Sequence, residues 1–264
     1  MKNNYKLGVI GAGNMAKAIV NGVVDANIIE KNDIIVSDPI GNIGIDGVQT
    51  IKDNDTVLES SEYILLAIKP QVFREISSSL KEKCKAKHII SIMAGITYDM
   101  LVSVFGEGVN ITRVMPNTPC KLKQGMTAIR ENDSIPKDEK KFVEKIFLSI
   151  GDIVYLDESL FHTITCVSGS GPAYVYMFIE AMIDSGVENG LTYSQAKKAV
   201  LKTFEGAVAM VRYEDKSISE LIDAVCSKGG TTIEAVNSFR EDNLYEIVDK
   251  AMTKCKIRSE ELGK

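Results

Sequence analysis

Apolar residues in the first half of the chain fall in short, nearly unbroken runs. Leu7–Ile10, Ile34–Ser37, Tyr63–Ile68, His88–Met93 and Ile111–Met115 are of this kind, and Met126–Ile129 and Ile153–Leu156 add two more. A strand with one wet face alternates polar and apolar residues, whereas a strand covered on both faces need not. Between these runs the pattern changes to helical spacing, as at Met15, Ile19, Gly22 and Val23. The reading is an α/β fold with a parallel, doubly wound sheet and helices on both sides.

Near residue 160 the runs give way to helices. Pro172 suits a first helical position, and from there to Val187 apolar residues occupy almost every face: Ala173, Tyr174, Val175, Met177, Phe178, Ile179, Met182 and Ile183. A helix apolar all round is expected to be buried on all sides. A second helix, from Ser194 to about Arg212, places Ala196, Val200, Phe204, Ala207, Val208 and Val211 inward and Lys197, Lys198 and Lys202 outward. Shorter helices are predicted at Ile218–Val225, Ile233–Phe239 and Leu244–Lys256. Residues 1–158 thus form a sheet domain and 159–264 an all-helical one. The second is too small to bury its central helix alone, so the expectation is a homodimer paired through the helical half. The alternative is a monomer with that helix packed under the first domain.

Composition narrows the function. The net charge of −5 argues against a nucleic-acid partner, which needs clustered Lys and Arg. The basic stretch Lys81–Lys87 is interrupted and reads as a solvated helix end. No apolar stretch approaches the roughly 18–20 residues of a membrane span, and the polar start Met1–Lys6 does not resemble a signal peptide. The five cysteines, Cys84, Cys120, Cys166, Cys226 and Cys255, fit no metal-ligand spacing. They read as reduced thiols of a cytoplasmic protein, with no metal site.

After the first run comes Gly11-Ala12-Gly13-Asn14-Met15-Ala16, a G-x-G-x-x-A turn between strand and helix. The first glycine permits the turn, the second lets the backbone approach a pyrophosphate, and the small third residue lets helix and strand pack closely. The helix start then offers N–H groups to phosphates. Gly11, Gly13, Asn14 and Met15 are therefore dinucleotide-binding candidates. Ser37-Asp38 ends the second strand, where an acid would bond the ribose 2′-hydroxyl of NADH and repel the 2′-phosphate of NADPH. Asp38 could equally open the Asp38-Pro39 turn, so the choice between NADH and NADPH stays open.

Six segments in order then carry a resemblance over nearly the whole chain: GVIGAGNMA (Gly8–Ala16), LAIKPQ (Leu66–Gln71), SIMAGI (Ser91–Ile96), VMPNTP (Val114–Pro119), VSGSGPAY (Val167–Tyr174) and CSKGGTT (Cys226–Thr232). The chain resembles the pyrroline-5-carboxylate reductases. That resemblance implies an N-terminal Rossmann domain, a helical dimerisation domain, often a larger assembly of dimers, and reduction of a cyclic imine to proline with NADPH or NADH. It also implies that Ala67, Lys69, Ala94 and Gly95 follow the cofactor, that Asn54 approaches the adenosine ribose, and that Asn117 and Thr118 face the nicotinamide. Each has a plainer reading: Lys69-Pro70 closes a strand and starts the next helix, Asn54 sits in an exposed Asp-Asn-Asp turn, and Asn117-Thr118-Pro119 is a turn. Ser168 and the Ser227–Thr232 segment are its substrate candidates. Ser170 reads as a helix N-cap, a role compatible with substrate contact nearby.

The glycines Gly229 and Gly230 let N–H groups converge on a carboxylate, with Ser227 and the hydroxyls of Thr231 and Thr232 beside them. The resemblance implies that Thr232 is the catalytic donor to the imine nitrogen. Lys228 stands where the family usually has proline, which leaves the loop's shape open. Neither His88 nor His162 sits in a catalytic pattern. Two rivals remain. A hydroxyacid dehydrogenase would need a proton donor such as Lys197 or Lys198, which the helical pattern turns to solvent. A catalytically silent relative would keep cofactor affinity without turnover.

Overall fold

The structure, a computed structural model, describes residues 5–85 and 87–263. The first four residues of the polar start and Ala86 of the basic stretch lie outside the described residues. Eight strands form one sheet: β1 (Tyr5–Ile10), β2 (Ile34–Ser37), β3 (Gln49–Ile51), β4 (Ser61–Leu66), β5 (His88–Ser91), β6 (Asn110–Met115), β7 (Gly125–Glu131) and β8 (Gly151–Tyr155). Their order is β3-β2-β1-β4-β5-β6-β7-β8.

The expectation of a parallel sheet needs two corrections. The β6–β7 pair is antiparallel, with Thr112 opposite Glu131 and Met115 opposite Ala128. A parallel return needs a crossover of a dozen or more residues, and the short link Pro116–Gln124 allows only a reversal. Strand β3 was not expected. It is three residues long, with Gln49 exposed, and carries too little apolar pattern to be recognised.

Helices α1 (Asn14–Asp25), α2 (Asn54–Ser60), α3 (Pro70–Leu80), α4 (Tyr98–Phe105) and α5 (Lys137–Leu148) flank the sheet. Successive strand residues face opposite ways, so the unbroken runs feed two cores. Leu7, Val9, Val36, Leu65 and Val114 join Ile19 of α1 and Phe147 of α5 on one face. Ile10, Ile35, Ile64, Ile89 and Ile111 join Leu58 of α2, Phe73 of α3 and Leu101 of α4 on the other.

The chain divides into two compact units, one running to Ser170 and resuming at Cys255, the other Gly171–Lys254. Short helix α6 (Phe161–Ile164) and a π-helical turn (Thr165–Gly169) precede the division. The second unit holds α7 (Gly171–Glu188), α8 (Tyr193–Tyr213), α9 (Ile218–Val225), α10 (Thr231–Glu241) and most of α11 (Leu244–Leu262). Capping boxes start two of them, Thr192 with Gln195 at α8 and Ser217 with Glu220 at α9.

The core of this unit is small: Ile183, Ala196 and Val200, with Ile179 and Phe204 packed against it. The all-round burial expected of α7 is not met within one chain, where Tyr176 is 60% and Met177 68% exposed. On α8 the inward set also shrinks, since Ala207, Val208 and Val211 are exposed. The α7–α8 pair shares one narrow seam, and the remaining apolar positions of these helices stay exposed. Among the described residues no helix is long and apolar enough to cross a membrane, and no cluster of His, Cys, Asp or Glu could hold a metal.

Candidate active site

The nucleotide-binding candidates of the first unit gather beyond the carboxyl ends of β1, β2, β4, β5 and β6. Chain order reverses beside β1, whose neighbours are β2 and β4, and such a switch point is where open α/β sheets bind ligands. Gly11 takes φ +103°, and a Cβ there would lie 2.5 Å from the Ala67 carbonyl oxygen. Its N–H donates to the Ser37 carbonyl at 2.7 Å. Gly11, Ser37 and Ala67 are thus drawn together, and only glycine fits between them. Gly13 begins α1 with nothing within 4 Å of where a Cβ would stand. No side chain caps α1 and its first turn holds no acid. This open helix start, backed by a glycine under tight contact, fits the pyrophosphate of a dinucleotide.

Asp38 closes the same turn. One carboxylate oxygen accepts from the Ala12 N–H at 2.9 Å, the other from Ile40 at 3.0 Å and Gly41 at 2.6 Å. Burial alone would raise its pKa, but these three donors outweigh burial and hold the carboxyl below its usual range. The turn-opening role is therefore realised, and the group carries its charge beside the glycine loop. Ser37 donates to the Asn54 side-chain oxygen at 2.6 Å, which joins the end of β2 to the start of α2. Lys69 is exposed and immediately precedes α3, which Pro70 opens. Ala94 is exposed, whereas Gly95 is buried at φ +77° with the Leu262 carbonyl 3.1 Å from its would-be Cβ. The last turn of α11 covers it.

Asn117 is built in as a brace. Its side-chain oxygen accepts from the Met126 N–H at 2.9 Å, and its amide donates to both the carbonyl and the hydroxyl of Ser168 at 3.1 Å. These bonds join the β6–β7 link, β7 and the π-helical turn, so Ser168 and Asn117 meet although 51 residues apart. The side chain is committed to protein partners, which leaves the backbone of Asn117 and the exposed Thr118 to face a ligand. Single π turns mark functional sites frequently. The N-cap reading of Ser170 is corrected: it has helical dihedrals, φ −92° and ψ −20°, whereas an N-cap lies in the extended region. The π turn feeds directly into α7, so no fresh helix start needs capping there. The Ser170 hydroxyl instead accepts from the Cys255 thiol at 3.4 Å.

The substrate candidates of the second unit form one compact feature. The Gly230 N–H donates to the Ser227 carbonyl at 2.9 Å, and Gly229 has φ +71° while Lys228 does not take a positive φ. That is a type II turn, whose second position favours proline and whose third requires glycine or asparagine. The turn therefore closes with lysine in proline's place. Gly230 precedes α10 without a side-chain cap, and Thr231 and Thr232 are its exposed first two residues.

Some contributors escaped the sequence reading. Arg113, 3% exposed, pairs with Glu158 and lies 4.4 Å from the centre of the Phe161 ring. Glu158 also accepts from the Tyr98 N–H at 3.1 Å. An arginine inside an apolar strand was the available signal. His88 is structural, buried between Glu139 at 2.9 Å and the Thr112 hydroxyl at 2.8 Å. His162 contacts Ser259 at 2.9 Å. Lys197 and Lys198 are exposed, as the helical pattern required.

The family model described as pyrroline-5-carboxylate reductase dimerisation matches residues 158–262, and that described as NADP oxidoreductase coenzyme F420-dependent matches residues 6–95. The pyrroline-5-carboxylate reductase of Escherichia coli is 37% identical, with 98% of each chain covered. That of Synechocystis is 35% identical, with 99% of each covered. A crystal structure of the Plasmodium falciparum enzyme with NADP bound superposes with a TM-score of 0.92 at 32% identity, covering 100% of both chains. On end-to-end identity of this degree, the chain belongs to the pyrroline-5-carboxylate reductase family.

Proposed function

We propose that this chain reduces Δ1-pyrroline-5-carboxylate to L-proline with NADPH or NADH, the last step of proline biosynthesis. The observation that carries the proposal is the Ser227–Gly230 turn, which opens an uncapped helix start although Lys228 replaces the family's proline. An open helix start presents N–H groups to a carboxylate, and the exposed hydroxyls of Thr231 and Thr232 add donors there.

When bound, the reduced nicotinamide supplies a hydride for the carbon of the C=N bond. The start of α1 holds the pyrophosphate, and Asn117, through its brace to Ser168, keeps the β6–β7 link in position for the nicotinamide. Backbone from Gly229 to Thr231 holds the substrate carboxylate. The Thr232 hydroxyl donates to the imine nitrogen, which makes the carbon a better acceptor and stabilises charge as the bond reduces. Orientation supplies the greater part of the acceleration. The ionised Asp38 favours the free 2′-hydroxyl of NADH over the 2′-phosphate of NADPH. The functional boundary falls between residues 158 and 159. The exposed apolar faces of α7 and α11 support a homodimer through the helical unit, with dimers assembling further. Five reduced cysteines fit the cytoplasm.

The test follows nicotinamide oxidation with pyrroline-5-carboxylate, NADH and NADPH separately. Thr232→Ala is expected to lower turnover by about 10²–10³ with cofactor affinity unchanged. Cofactor binding by folded protein without any turnover would favour the silent relative instead.

A further inference from the structure

Two cysteines that the mechanism does not use face each other within the first unit. Near the division between units, α6 with its π turn runs antiparallel to the end of α11. His162 meets Ser259 at 2.9 Å, and four residues further along each element, in opposite directions, stand Cys166 and Cys255. Residues four apart share a helix face, so the His162–Ser259 contact sets the register that brings the two thiols together. Cys166 reaches the His162 carbonyl at 3.1 Å, and Cys255 reaches Ser170 at 3.4 Å; Ser170 lies four residues beyond Cys166, so this contact places the Cys255 thiol beside Cys166. The remaining cysteines are placed otherwise. Cys84 and Cys120 are buried in the sheet domain, and Cys226 lies in the other unit.

We propose that Cys166 and Cys255 form a reversible disulfide, made by exchange with a small-molecule disulfide such as oxidised glutathione, that ties the returning end of α11 to the π turn. Cys255, the less buried of the two, is the point of entry. Its thiolate attacks the external disulfide and forms a mixed disulfide, expelling one thiolate. Cys166 then attacks the Cys255 sulfur and expels the second. The protein loses two thiol protons and two electrons, and the external disulfide becomes two thiols. Burial, reinforced by Cys255, pushes the Cys166 thiol up to about 11, so Cys166 does not open the exchange, and its attack on Cys255 relies on the two sulfurs being held together.

The bond would act on the site through its neighbours. The π turn carries Ser168, the partner of Asn117, and the last turn of α11 lies over Gly95. Oxidation would therefore stiffen both segments together and slow the catalytic cycle.

The experiment incubates the full-length protein with oxidised glutathione, alkylates it under denaturing conditions and maps its peptides by mass spectrometry. A cross-linked Cys166–Cys255 peptide is expected, with two of the five thiols lost and both restored by dithiothreitol. Cys166→Ser should stop at a glutathione adduct on Cys255, and Cys255→Ser should form neither adduct nor cross-link at this pair. Folded protein that exchanges without yielding this peptide, or Cys166→Ser that gains no adduct, overturns the assignment. Turnover of the oxidised protein should fall several-fold and recover with dithiothreitol, but stay constant in Cys255→Ser. Unchanged turnover on full cross-linking would overturn the regulatory effect. The turnover measurement rests on the reductase reading and the peptide map does not, so the two fail separately.

Discussion

The two compact units use apolar residues in opposite ways. In the first, the apolar residues of β1, β2, β4, β5 and β6 are almost all covered by helices of the same chain, and Leu7, Val9, Ile34, Ile64 and Ile111 are fully buried. In the second, Ala196 alone of the apolar side chains is fully buried, and Ile183 and Val200 come near it. Meanwhile Tyr174, Met177 and Phe178 of α7 line an apolar groove of about 330 Å³ with Ile247, Val248 and Met252 of α11. Exposed apolar faces of this extent mark interaction sites, and the family model matched across this region is a dimerisation model. The first unit is thus a protomer's own core, while the second is one half of a core that two chains complete.

The comparison breaks most visibly at Met177. Met177→Glu would place an unpaired carboxylate in the shared core, at about 4 kcal/mol, or roughly a 10³-fold weaker dimer. Sedimentation velocity should show monomers, with the nucleotide unit still binding cofactor. A dimer of unchanged affinity would remove this face from the interface.

Gly11→Ala is the converse change, confined to the first unit. The φ of +103° and the 2.5 Å approach of Ala67 make it cost about 1–3 kcal/mol in backbone strain alone. Cofactor affinity should drop in a fluorescence titration while the dimer persists. Wild-type affinity would show that this turn does not hold the dinucleotide.

A smaller effect comes from His88. Burial dominates over Glu139 and lowers its pKa, so the unfolded chain takes up the proton first as pH falls. The stability contributed by neutral His88 is complete above its unfolded pKa of about 6.5 and is lost progressively as pH falls from there toward the lower folded value. Urea midpoints between neutral pH and pH 5 should fall less steeply for His88→Gln than for the wild type. Equal slopes would exclude this histidine as the source.

The smallest change expected is a gain. Lys228→Pro puts proline at the second position of a type II turn, where it should add about 0.4–1 kcal/mol by restricting the unfolded chain and leave turnover nearly unaltered. Destabilisation would mean that the Lys228 N–H or its dihedrals matter in a way the turn geometry does not account for.

Much of the candidate site could be proposed from local pattern because its parts are local. The Gly11–Met15 turn and the Ser227–Thr232 segment are each a few consecutive residues whose backbone needs are written in glycine placement. The brace from Asn117 to Ser168 is different, since neither residue carries a sign of the other. Ser170 shows how a local rule fails: serine before Gly-Pro is a good cap signal, but here the preceding turn was already helical, which only the tertiary path reveals.

By itself the sequence determined seven of the eight strands, the helix after the glycine turn, the helices from α7 onward and the family, because periodicity and glycine chemistry act over a few residues. Only the tertiary structure decided the reversal at β7, the small edge strand β3, the commitment of Asn117 and Asp38 to protein partners, and the meeting of Cys166 with Cys255. Those depend on which distant segments share a register, and register is set by packing the whole sheet and its helices at once.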